Sequence, residues 1–239
     1  MSFELDYSVV IPAFKKSLTI SDVLVSVQKT MMLIDKPFEI ILVCDGEVDD
    51  TALIANKLNI PQLSIITYKR NRGKGYALRQ GSAASTAKTI IFMDADFDLS
   101  HHRLYELIEI FDKTNADMVI GSKSHPDSKI FYPKIRRLMS FCYKTLVKIL
   151  FSLKTNDTQT GMKVIRSSAF KEVLPTLKID GFACDLEVIV AFNRFGFSVL
   201  EGPITLTYQS NSTLRVRSTL QMLLATLHLF LNNKKIGRR

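Results

Sequence analysis

An apolar run, Ile90-Ile91-Phe92-Met93, ends abruptly on Asp94-Ala95-Asp96-Phe97-Asp98, and no other stretch limits the fold as much. Four large apolar residues in succession, two of them β-branched, predict a central strand buried on both faces. In open α/β sheets ligands bind beyond the carboxyl ends of the strands, which is where these carboxylates lie. Asp94 and Asp96 alternate with Ala95, so a backbone that stays extended for one more step turns both the same way. Two such hard-oxygen groups suit Mg²⁺ or Mn²⁺, which takes one or two carboxylates and completes its shell with water and phosphate. Asp-x-Asp is short, however, and acids after a strand also cap the next helix, a role open to Asp98 or Ser100 before Arg103-Leu104-Tyr105.

Strands and helices alternate around this run. Apolar segments at 7–11, 38–43, 63–68 and 118–121 have strand length, while 20–31, 51–58, 76–87 and 103–113 read as helices. The rhythm predicts an α/β, Rossmann-like, mostly parallel sheet flanked by helices. After Gly121 it changes: 122–133 reads as a polar loop, 134–153 as one long helix and 162–165 as a strand. Helices then start at Ser168 and Asp185, a strand lies near 198–200, and 214–231 is helical. No tract rich in Pro, Gly or Ser divides the chain. One domain is therefore expected over 1–212, its nucleotide-binding half reaching about 121 and its second half 122–212, followed by a basic amphipathic helix and tail at 213–239.

A formal charge of +9 implies an anionic partner, and the excess is local. Between Lys123 and Lys154 eight Lys or Arg face one acid, and from Thr213 to Arg239 there are six and no acid. The three cysteines form no Cys-x-x-Cys pair, so a reducing cytosol fits better than a disulfide framework. The amino terminus lacks the pattern of a secretory signal. The run at 220–231 is too short to cross about 30 Å of hydrocarbon. His101, His102, His125 and His228 form no ligand cluster, and no dinucleotide, Walker or nucleophile-elbow motif is present.

Several short signals nevertheless fall in one order, and that order resembles the inverting glycosyltransferases of GT-A fold. Pro12-Ala13-Phe14 resembles the family's Pro-Ala-Tyr, Asp45-Gly46 with Asp49 and Thr51 its Asp-Gly-Ser-x-Asp-x-Thr, and Asn71-Arg72-Gly73-Lys74-Gly75-Tyr76-Ala77 its Asn-x-Gly-Lys-Gly-x-Ala. Asp94-Ala95-Asp96 resembles its metal motif. Gly121-Ser122-Lys123, Arg136-Arg137, Asp157-Thr158-Gln159-Thr160-Gly161 and Asp185-Leu186-Glu187 resemble the branch that makes polyprenyl-phosphate sugars, which includes dolichyl-phosphate mannose synthases and dolichyl-phosphate glucosyltransferases. Three departures stand out: Lys15-Lys16 where the family commonly has Asn-Glu, Cys44 for a frequent acid, and Glu47 for the usual Ser.

The resemblance implies transfer of a hexose from a nucleotide sugar, UDP-glucose or GDP-mannose, to a polyprenyl or dolichyl phosphate with inversion, aided by Mg²⁺ or Mn²⁺. Asp94 and Asp96 would hold the ion, Asp98 would be a third ligand, and Asp96 would count among the catalytic groups. Pro12, Ala13, Phe14, Asp45, Arg70, Lys74, Asp94 and Ala95 would form the donor site, with Asp45 accepting a hydrogen bond from the base. A lipid phosphate is largely a dianion near neutral pH, with a second pKa of about 6, and attacks without losing a proton. Arg136 and Arg137 present forks that match phosphate oxygens, with Lys123 beside them.

Asp157 would position the acceptor or serve as base, and Asp185 and Glu187 would meet sugar hydroxyls. The enzyme would sit at the cytosolic face of a membrane, its carboxyl-terminal helix against the lipid surface, the core, a second copy or a membrane-embedded subunit. Nucleic acid is not expected as a partner. Two other readings stay open: the same fold acting on a hydroxyl acceptor, for which a base is mandatory, and a binding module for anionic surfaces without catalysis.

Overall fold

The structure, a computed structural model, describes residues 4–96, 103–131, 134–207 and 216–236, with the backbone alone at 134–138, 207, 216–220 and 233–236. Asp98 and the side chains of Arg136 and Arg137 therefore lie outside the described residues. In chain order the elements are β1 (Tyr7–Ala13), α1 (Ile20–Met32), β2 (Phe38–Asp45), α2 (Thr51–Lys57), β3 (Leu63–Tyr68), α3 (Lys74–Ala84), β4 (Thr89–Phe92), α4 (Arg103–Thr114) and β5 (Met118–Ser122). There follow β6 (Lys129–Phe131), α5 (Lys134–Phe151), β7 (Lys163–Arg166), α6 (Ser167–Val173), α7 (Cys184–Arg194), β8 (Val199–Pro203), β9 (Thr205–Thr207) and α8 (Val216–Ile236).

Seven strands form one sheet in the order β3-β2-β1-β4-β7-β5-β8, with β4 at its centre. Ile91 packs with Val9, Ile11, Leu42 and Val164 on the face covered by α1 and α4, while Ile90 and Phe92 pack with Val10, Ile41 and Ile165 under α3, α6 and α7. Each such side chain, taken fully out of water, contributes about 1.5–3 kcal/mol. That is the doubly buried strand the apolar run predicts.

The sheet is parallel except for β7, which runs antiparallel to both β4 and β5, with Phe92 opposite Lys163 and Ile120 opposite Lys163. This reversal positions the site. It carries the start of β7, and the loop before it, to the same edge as the carboxyl end of β4.

Two short elements depart from the sequence expectation. The segment 122–133, expected as a polar loop, contains β6, which pairs in parallel with β9 in a separate two-stranded sheet. Three residues each are too few to display a period. The carboxyl-terminal helix also runs past its expected end at 231, to Ile236. α8 packs on α5: the Tyr143 hydroxyl meets Thr226 Oγ1 at 2.8 Å, and Phe151 and Phe230 stack edge to face.

Candidate active site

The edge formed by the carboxyl ends of β1, β2 and β4 gathers most of the charged groups singled out above. Met93 extends β4 by one step, its N–H donating to the Val10 carbonyl at 3.1 Å as a strand residue would, and Asp94, Ala95 and Asp96 follow. The Asp94 carboxylate lies 2.7 Å from the Lys74 ammonium, and Asp96 pairs with Lys16. Ala95 is buried between them. The other side of Asp94 is closed by Gly161, where a methyl group would overlap its carboxyl atoms.

Lys74 also lies 2.8 Å from Asp185, whose other oxygen pairs with Lys163, a lysine buried on β7. Lys163 further donates to the Thr160 carbonyl at 2.5 Å. The groups thus form a row of alternating sign, Asp94, Lys74, Asp185, Lys163, running from the rim inward. Burial alone would raise the Asp185 carboxyl, but the ammonium groups of Lys163 and Lys74 outweigh it and hold the group below the usual carboxylate range. Burial lowers Lys74 in the same way, and Asp185 and Asp94 more than offset this, so it stays charged.

Asp45, at the end of β2, is enclosed. One oxygen accepts from the Tyr68 hydroxyl at 2.9 Å and the Arg72 N–H at 2.7 Å, the other from Asn71 Nδ2 and the Gly73 N–H, both at 2.8 Å. An ionised carboxylate offers about four acceptor positions, so a donor base would have to displace one of these partners. What Asp45 does in this structure is fix the turn that launches Lys74. Gly73, at φ 104°, and Gly75 do not open onto solvent: a side chain at either would strike the backbone of Asp180 or Ile179. The Gly75 N–H donates to the Asp180 carbonyl at 2.7 Å, and Arg79 pairs with Asp180. The glycines therefore seat the turn against the 177–183 segment, leaving Lys74 directed at Asp94. Arg70 is exposed on the same loop, and Arg72 lies 3.7 Å over the Tyr76 ring.

Pro12 and Ala13 end β1 and Phe14 is partly exposed beyond it. The following turn is tied to the start of α2: Asp49 accepts from the Ser17 N–H at 3.0 Å, and Thr51 Oγ1 from the Lys16 N–H at 2.9 Å. Cys44, where the family frequently has an acid, is a buried thiol pushed up to about 11, first by burial and then by Asp49 and Glu47, so it stays protonated.

On the far side of β4, Asp157 is buried and engaged by four donors, three at Oδ2 and one at Oδ1. It accepts from the Lys123 N–H at 2.8 Å, Lys123 Nζ at 3.1 Å, Thr160 Oγ1 at 3.0 Å and the Gln159 N–H at 3.1 Å. Burial raises its carboxyl, but Lys123 and these N–H groups prevail and hold it below the usual range. A carboxylate with a depressed folded pKa gives stability that is present above its unfolded pKa, about 4, and is lost as the pH falls through the folded value. The Tm difference between wild type and Asp157→Asn is therefore expected to hold steady from about pH 5 to 8 and to shrink below about pH 4. A difference that instead grows on acidification contradicts this account.

Glu187, on α7, accepts from the N–H groups of Lys178 and Ile179, both at 2.9 Å. It and Asp185 thus face different ways and both are engaged within the protein. Sequence reasoning gave no role to Lys16, Lys163 or Glu201, which accepts from the Asn156 and Asp157 N–H groups at 2.9 Å each. Lys163 did leave a signal, a lone basic residue in the apolar run Met162-Lys163-Val164-Ile165, since a charge in such a strand needs a buried partner. Among the described residues no three acidic, His or Cys side chains converge into a ready ligand cluster.

A mostly parallel sheet whose middle strand ends on paired aspartates beside a lysine-bearing turn has the GT-A fold. Residues 8–174 match the family model of Glycosyl transferase family 2, and the chain belongs to that family of sugar-transferring enzymes. It is 30% identical over 226 residues to the dolichyl-phosphate beta-glucosyltransferase of Saccharomyces cerevisiae, covering 84% of this chain and 67% of that protein. It is 29% identical to glycosyltransferase AglD of Haloferax volcanii, covering 83% of this chain and 32% of that one. The chain thus spans about two thirds of the yeast relative and a third of the archaeal one. Among solved structures, glucosyl-3-phosphoglycerate synthase from Mycobacterium tuberculosis, in complex with Mn²⁺, uridine diphosphate and phosphoglyceric acid, superposes with a TM-score of 0.73 at 18% identity, over 95% of this chain and 78% of that one. That likeness establishes the fold.

Proposed function

We propose that this chain moves one hexose from a nucleotide sugar, UDP-glucose in the first instance, to the phosphate of a polyprenyl lipid with inversion at the sugar. The observation that carries the acceptor is the state of Asp157. A carboxylate with four donors and a depressed pKa is a poor base, and a phosphate dianion is the acceptor class that needs none. The yeast relative is named for the same acceptor chemistry.

Asp94 and Asp96 are proposed to hold a divalent ion, with Asp98 as a further ligand. The donor set fits: two hard carboxylates at the rim, one of them seated directly against a glycine, and remaining positions for water and diphosphate oxygens. When bound, such an ion supplies Lewis-acid stabilisation of the leaving diphosphate. Lys74, kept charged by Asp185, adds fixed positive charge at the same point, and the Asp45-anchored turn orients it. Lys123, with Arg136 and Arg137, is proposed to receive the acceptor phosphate. Residues 1–212 form the catalytic body in this reading.

Peripheral attachment at the cytosolic face of a membrane is proposed through α5 and α8, which expose Phe141, Ile149, Leu224, Leu227 and Leu231 next to Lys144 and Lys148. No described helix is long and apolar enough to cross a bilayer.

The test incubates radiolabelled UDP-glucose or GDP-mannose with polyprenyl phosphate and Mn²⁺ and counts label entering organic solvent. Transfer is expected from one of them, and no organic-phase label from either overturns the reading. Asp157→Asn is expected to retain activity within about tenfold of wild type, whereas a hydroxyl acceptor that depends on this base would lose about 10²–10⁴-fold.

A further inference from the structure

Lys16 stands where the resembled family commonly carries an acid, and it meets Asp96 directly. The contact is built rather than incidental. The backbone N–H of Lys16 is held by Thr51 and that of Ser17 by Asp49, so the turn presenting the lysine is fixed to the start of α2 from below. The neighbouring Lys15 has a left-handed backbone, φ 55°, and its ammonium lies over the Phe14 ring, 5.5 Å from its centroid. Of two adjacent lysines, one is directed at the aspartate and the other away from it.

The consequence lies in the charge balance. Three lysines, Lys16, Lys74 and Lys163, are paired with three aspartates, Asp96, Asp94 and Asp185. A divalent ion arriving alone would add two uncompensated charges among these ammonium groups and would have to displace Lys16 from Asp96. The same ion arriving with a diphosphate brings its own counter-charge, and the displaced ammonium gains an anion to face.

We propose that Lys16 is a tethered cation that occupies Asp96 in place of the divalent ion, weakening metal binding to the free chain and making tight binding depend on the nucleotide diphosphate. Lys16 is thereby a positioning residue that couples the two ligands, and it acts through Asp96. The inference rests on the reading of Asp94 and Asp96 as a cation site.

The experiment is a titration of the full chain with Mn²⁺, free ion read by electron paramagnetic resonance, with and without uridine diphosphate. Without nucleotide, Lys16→Met is expected to bind Mn²⁺ about two- to fivefold more tightly than wild type, the range that release of one partly exposed ion pair gives. Lys15→Met, which removes the same charge without touching Asp96, is expected to stay within about 1.5-fold, and Lys16→Arg to behave as wild type. Uridine diphosphate is expected to tighten Mn²⁺ binding by a larger factor in wild type than in Lys16→Met. Equal affinities for wild type and Lys16→Met, or an equal shift in Lys15→Met, overturn the inference alone. Absence of any binding that Asp96→Asn removes overturns it together with the proposed metal site, while sugar transfer measured in EDTA judges the reaction separately.

Discussion

Asp185→Asn is expected to cost about 3–5 kcal/mol of folding stability, because it leaves the buried Lys163 and Lys74 ammonium groups without their shared counter-charge. For a chain of this length that is a fall in Tm of about 6–20 °C, read by circular dichroism. The size of the effect follows from burial. Lys163 is 1% exposed and Asp185 6%, so water cannot take over the lost contacts. Replacing both partners by apolar residues of similar volume, Asp185→Leu with Lys163→Met, is expected to recover much of the loss, since two desolvated charges disappear together. A fall below about 3 °C in the single variant would show that the row of charges carries little of the fold's stability.

Gly161→Ala should leave the fold standing and sharply lower the activity. The three atoms that the added methyl group approaches most closely all belong to the carboxyl end of Asp94, a partly exposed side chain that can turn toward solvent on giving up Lys74. The protein therefore accommodates it by swinging Asp94 away from Lys74. Displacing a substrate-positioning group by about 1 Å costs on the order of 10²-fold in rate, so kcat/KM for sugar transfer is expected to drop by about that factor while Tm moves little. Gly181→Ala serves as a control, because a side chain there meets nothing within 4 Å. Full activity in Gly161→Ala would mean that Asp94 works from a different position.

Much of this was legible in residue order, and the illegible part has a common cause. The doubly buried β4, the carboxylates at its exit and the turn ahead of α3 are local: each is written in a handful of consecutive residues whose periodicity or charge declares it. The direction of β7 is not local. Val164 and Ile165 read the same whether the strand runs with or against its neighbours, yet only the antiparallel arrangement brings Gly161 to Asp94 and Lys163 to Asp185.

Partnership is similarly hidden. Asp45 reads from sequence as a donor ligand, but nothing in the order of residues discloses that Tyr68, Asn71, Arg72 and Gly73 already fill its oxygens. Asp185 and Glu187 looked alike as two acids two apart, and their different fates depend on Lys163 from β7 and the backbone at 178–179. The Lys15-Lys16 departure was visible, whereas its target, eighty residues away, was not.

The ion pairs along this edge differ in burial, from Lys16–Asp96 at the surface to Lys163–Asp185 inside, and this bears on how dissolved salt acts. Mobile counter-ions screen charges that water reaches, over about 8–10 Å at physiological strength, and scarcely touch pairs enclosed by protein. Asp96 is 55% exposed whereas Asp185 is 6% exposed. Added salt thus loosens the outer link while the inner ones persist, so that the composition of the medium acts on the mouth of the site and leaves its foundation unchanged.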